Sequence, residues 1–182
     1  MSNNKTTGTK IIKLCLSALF LAIGLVLPFL TAQIPTIGKM LLPMHIPVML
    51  CGLVCSWQYG LAVGAILPLF RFALFGMPAY PNCIWQAFEL AAYGFAIGFI
   101  YSKLKNKNII SAYISLIISM LFGRIVWGIV KTLVMLGGGG AFTFAAFIAG
   151  GFTSAIPGII LQLVLIPPIF TVLEKIVLKK LK

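Results

Sequence analysis

"IISAYISLIISMLFGRIVWGIVKTLVML", Ile109 to Leu136, decides the class of this chain. A bilayer crossing needs about 20 apolar residues, and this run exceeds that. It nevertheless carries two full charges, Arg124 and Lys131, seven positions apart. On a helix that spacing puts both on one face. A charge at bilayer depth costs about 3 kcal/mol or more unless it is paired or faces a polar cavity. The run therefore reads as a membrane helix with one face turned to something polar inside the protein.

The rest of the chain agrees. It has 182 residues, 61% hydrophobic and only 9% charged, with a mean hydropathy of +1.12. Soluble domains are about a quarter charged, so the composition excludes that class. The expected fold is an all-α membrane protein, a bundle of six transmembrane helices in one domain spanning residues 1–182. The expected helices are Ile11 to Leu30, Met44 to Ser56, Gln58 to Phe75, Cys83 to Ser102, Ile109 to Leu136 and Phe144 to Leu178. The second is short for a full crossing. The last is expected to bend at Pro157 and at Pro167–Pro168. The basic start and apolar first run resemble a signal peptide, but "FLTAQ" lacks a small-x-small cleavage pair, so the segment reads as a retained first helix.

The net charge of +12 raises the question of nucleic acid. Its placement answers it. Lys5, Lys10 and Lys13 open the first helix, Lys103, Lys105 and Lys107 follow the fourth, and Lys175, Lys179, Lys180 and Lys182 close the chain. In a six-helix topology all three clusters fall on one face, which the positive-inside rule assigns to the cytoplasm. Both termini are then cytoplasmic, the partner surface is the lipid bilayer, and no nucleic acid is implied.

Catalytic chemistry finds no support. Gly137 to Gly140 is not a phosphate loop, since no Gly-Lys-Ser/Thr follows it. One His and two acidic residues, Glu89 and Glu174, give neither a paired-carboxylate mechanism nor a metal cluster. Cys15, Cys51, Cys55 and Cys83 read as apolar packing residues. No catalytic residue, metal or cofactor is expected.

What remains inside the spans is a small polar set. His45 starts the second helix, Arg71 lies near the outer end of the third, and Glu89 lies about 10 Å below the outer start of the fourth. Arg124 and Lys131 lie on the fifth, and Lys39 is in the first outer loop. All are expected in the outer half, above an apolar inner half. Asn82, Trp85 and Glu89 share one helix face, and Arg124, Trp127, Gly128 and Lys131 share another. Aromatic rings beside directed polar groups are what a pocket for a small polar organic molecule requires. Arg71, Arg124 and Lys131 against Glu89 would give such a pocket an excess of positive charge. The competing readings are interfacial snorkelling for Arg71 and Lys131, a structural Glu89–Arg124 ion pair, a helix-start hydrogen bond for His45 and interface-belt positions for the tryptophans.

Small residues at four-residue spacing, Ala18/Ala22, Gly60/Gly64 and Gly94/Gly98, are suited to close helix packing. Size, six helices, an outer-half site, the Ala18-x3-Ala22 pair and the segment "LLPMHIPVMLCGLVCSWQYGLAVGAILPLFR", Leu41 to Arg71, together resemble the S-components of energy-coupling factor (ECF) vitamin transporters. The resemblance implies a bacterial plasma-membrane subunit that captures a vitamin from outside. It implies a transmembrane coupling subunit docking at Ala18 and Ala22, and two partner ATPases that use the ATP. It places substrate contacts at Asn82, Trp85, Glu89, Arg124, Trp127 and Lys131, with the loop after the first helix as a lid. The pantothenate members are the nearest in character, with pyridoxine and hydroxymethylpyrimidine members as the alternative. A stand-alone secondary transporter or channel, with Glu89 as a proton site, is the reading from another class. The absence of an inverted repeat and of a second intramembrane acid argues against it.

Overall fold

The computed structural model describes residues 2–31 and 40–178. Lys39, most of the first outer loop and Lys179, Lys180 and Lys182 lie outside them. Among the described residues every regular element is helical: α1 Ser2–Val26, with a 3-10 turn Leu27–Thr31, α2 His45–Cys55, α3 Trp57–Phe75, α4 Asn82–Lys103, α5 Ile109–Gly137, α6 Phe144–Gly151 and α7 Ile156–Leu173, ending in a π turn Glu174–Leu178. Among the described residues five stretches are long and apolar enough to cross a membrane: Thr7–Leu30, Trp57–Phe75, Asn82–Lys103, Ile109–Gly137 and Phe144–Ile176.

The short α2 is the centre of the bundle. All its residues from His45 to Cys55 are buried. At 1.5 Å per residue it is only about 16 Å long, half a bilayer core. A helix sheathed in protein need not match the hydrocarbon thickness, because its neighbours meet the lipid instead. Val48, Met49, Cys51, Cys55, Leu67, Leu90, Ile97 and Ile166 make the fully enclosed apolar core around it.

Backbone proximity holds α3 on α4. A Cβ on Gly64 would strike the Leu90 carbonyl, and one on Gly94 would strike Gly60. A Cβ on Gly98 would stand 2.6 Å from the Gly52 carbonyl oxygen of α2. The two Gly-x3-Gly pairs face one another and α2, so glycine at these positions is a steric requirement of the three-helix contact.

Helix starts follow local chemistry. The Ser111 N–H donates to Asn108 Oδ1 at 2.9 Å to cap α5, and the Ala146 N–H donates to Thr143 Oγ1 at 3.2 Å to cap α6. The last span breaks one turn earlier than the prolines indicate. α6 ends at Gly151, Thr153–Ala155 is a 3-10 turn, and Pro157 then occupies the first turn of α7, where a missing N–H is harmless. Pro167 and Pro168 sit within α7 without ending it, and Thr171 Oγ1 donates to the Pro167 carbonyl at 2.9 Å.

The inner half is less apolar than expected. Ser17, Ser111, Ser115 and Ser119 are buried there. Ser17, Ser115 and Ser119 donate to carbonyls of their own helices, Lys13, Ser111 and Leu116, at 2.7–2.8 Å. Paired in this way, they bring polarity without an unsatisfied group.

Candidate functional site

The two polar faces read from the sequence meet. Glu89 of α4 and Arg124 of α5 form an ion pair, Arg124 Nη1 donating to Glu89 Oε1 at 2.8 Å. His45 Nε2, at the head of α2, lies 3.4 Å from the same oxygen. Relative exposures of 2% for Glu89, 2% for His45 and 4% for Arg124 put all three out of water. The Tyr93 ring, one turn below Glu89, packs edge-on against His45 at 5.0 Å. Gly123 makes room for it: a Cβ there would stand 2.7 Å from the Tyr93 ring.

One turn further out is an aromatic layer. Lys131 Nζ lies 5.5 Å from the ring centre of Trp85 and 4.6 Å from those of Trp127 and Phe142. Trp127 in turn meets Phe142 edge-on at 5.7 Å and Phe147 at 6.0 Å. Gly150 and Gly151 at the end of α6 leave space for the Trp127 ring. The cation–π contacts hold Lys131 against the rings, and the layer roofs the ion pair.

Arg71 is elsewhere. It is buried, donates through Nη1 to the Leu25 carbonyl, and lies between the Phe29 and Phe75 rings at 5.0 and 5.5 Å. It ties the outer end of α3 to the end of α1. Asn82 begins α4 half-buried, and its side chain makes no hydrogen bond among the described residues. The positive excess expected from four pooled charges is thus not local to the ion pair. Around Glu89 and Arg124 the two formal charges cancel, and Lys131 stands a layer above.

Sequence reading missed three residues. Tyr93 continues the Glu89 face by one turn, Phe142 follows the glycine run, and Gln162 is a lone amide within the apolar stretch of α7. Such an amide is itself a signal, because a polar group in a span needs a partner or a cavity. Gln162 is 1% exposed. With Tyr93 and Arg124 it lines a cavity of about 210 Å³.

The cavity is mainly apolar, but two of its lining residues hold unused donors: Arg124 Nε and Nη2 and Gln162 Nε2 are buried without hydrogen-bond partners, as is Nδ1 of His45, which does not line it. Unsatisfied buried polar atoms are few in folded proteins, so each calls for a partner. The free atoms of Arg124 form one edge of the guanidinium, the arrangement that receives a carboxylate through two parallel bonds. Among the described residues no group of three or more His, Cys, Asp or Glu could hold a metal ion.

The outer face of α1 is available to a partner. Ala18 and Ala22 are exposed, within a stripe that includes Ile11, Leu14 and Leu19. No curated protein and no solved structure matches the chain significantly. A family model described as "ECF transporter, substrate-specific component" matches residues 13–170, nearly the whole helical bundle. The chain, a bundle of apolar helices, belongs to the substrate-specific components of ECF transporters.

Proposed function

We propose that this chain captures pantothenate at the bacterial plasma membrane, binding its carboxylate on the free edge of Arg124 beneath the Trp85–Trp127–Lys131–Phe142 layer. The unpartnered Nε and Nη2 of Arg124 carry the reading. Glu89 holds the guanidinium through Nη1, His45 lies against the same Glu89 oxygen, and Arg124 lines the cavity in which the carboxylate would sit. Lys131 adds positive potential from above. Ala18 and Ala22 form the docking face for the coupling subunit, and two ATPases of the module supply the energy. Family membership favours this capture role over a stand-alone carrier.

The cancelled charge of Glu89 and Arg124 supports a second reading. A neutral ring such as pyridoxine or hydroxymethylpyrimidine would add no net charge to a buried pair that is already balanced.

Calorimetric titration of the purified chain in detergent separates the two. Pantothenate is expected to bind tightly, and pyridoxine, hydroxymethylpyrimidine, riboflavin and thiamine weakly or not at all. Arg124→Lys keeps the charge but loses the two-bond edge, so pantothenate affinity is expected to fall at least about tenfold. Tight binding of a neutral ring, unaffected by Arg124→Lys, would reverse the order of the readings.

A further inference from the structure

We infer that Gln162 and the seam between α5 and α7 form a second half of the substrate site, which reads a neutral hydrogen-bond acceptor and an apolar segment of the ligand. This rests on the ligand occupying the Arg124 cavity, as proposed above. The argument begins with the amide. Gln162 is 1% exposed and its Nε2 has no partner. The cost of an unused buried amide is borne by the apo protein and recovered when an acceptor arrives. Gln162 and Arg124 line the same cavity from opposite helices. A ligand held by its acid at Arg124 therefore meets a second donor across the space. That donor suits a carbonyl or hydroxyl oxygen.

The walls between these donors are apolar. Ile117 and Leu121 of α5 and Leu163 of α7 line the cavity. Ile117 and Leu121 are 48% and 51% exposed, so the seam opens sideways, through aliphatic side chains. In a membrane that opening faces hydrocarbon, not water. A ligand segment lying in it is best made of methyl and methylene groups. The ligand class is then an organic acid with a neutral acceptor some distance from the acid and branched aliphatic carbon between or beside them. Ligands polar along their whole length, and ligands carrying a second charge, are selected against.

The test pairs affinity with apo stability, since a mere core residue and a ligand reader move them differently. Gln162→Leu removes the unused amide, so the apo chain is expected to melt at the same temperature or higher. Pantothenate affinity is expected to fall about tenfold, the worth of one hydrogen bond. Gln162→Met provides the same comparison should the leucine variant misfold. Leu163→Trp fills the seam and is expected to weaken pantothenate at least tenfold. If Arg124→Lys weakens pantothenate while Gln162→Leu, Gln162→Met and Leu163→Trp bind like the parent, this inference is overturned and the Arg124 reading stands. If Arg124→Lys also binds like the parent, or the parent binds no pantothenate, both fall together.

Discussion

Glu89 holds two partners with one oxygen, and much of the site depends on it. Removing one member of a buried ion pair leaves the other charge in a medium that cannot solvate it, at a cost of about 3–5 kcal/mol. Glu89→Gln should therefore lower the melting temperature in detergent sharply. Adding Arg124→Met should restore most of that stability, because the stranded charge is gone, yet pantothenate should remain unbound. A double variant that stays as unstable as the single one would assign the loss to packing instead. Gly123→Ala works through a neighbour. The added methyl displaces Tyr93, and Tyr93 packs on His45. Overpacking of this kind costs about 1–3 kcal/mol, and calorimetry should find weakened binding alongside a lower melting temperature. At this scale the sequence was informative about charge and left the pairing open. Arg71 and Arg124 look alike as lone arginines in apolar helices. Only tertiary packing sends one to the Leu25 carbonyl between two phenylalanines and the other to Glu89.

Among the elements, the α2–α3–α4 contact has the least slack. Apolar surface gains little by leaving lipid for protein, so close backbone approach has to supply the association. Gly64→Leu and Gly94→Leu should each force α3 from α4 and lower the yield of monodisperse protein, with melting temperatures well below the parent. A parent-like melt for either would mean the helices can separate without loss. The pairs at Gly60/Gly64 and Gly94/Gly98 were legible because the spacing repeats once per helical turn. The break in the last span was harder. Prolines mark positions a helix tolerates poorly, but Pro157 is accommodated by starting a helix, so the interruption falls before it at Phe152–Ala155. The helix boundaries from Trp57 to Gly137 were otherwise close to the sequence expectation, because hydropathy changes abruptly at Lys and Pro-rich turns.

For the molecule as a whole, the proposed roles fall on two surfaces. The cavity lined by Arg124 and Gln162 lies between the helices, and the Ala18/Ala22 stripe lies on the outside of α1. Ala18→Trp should bulk the proposed docking stripe without touching the cavity. Vesicles carrying the full transporter should then lose ATP-dependent pantothenate uptake while the isolated chain binds as before. Normal uptake would move the docking face away from α1. The membrane class, the packing pairs and the two polar faces of Glu89 and Arg124 were legible from period and depth, but that the faces meet was one open alternative until the packing was seen. Gln162 was not singled out, because one amide in a long apolar stretch gains meaning only when the space beside it is seen.

The fully sheathed α2 carries a further consequence for the time the chain takes to breathe. Its amides see neither water nor lipid and can meet deuterium only when the surrounding helices part. In a deuterium-exchange experiment the residues after the first turn of α2 should be among the last to label, together with the facing turn of α4. Their exchange rate would then clock the opening of the entire bundle, whereas the outward faces of α1 and α6 would report only local fraying.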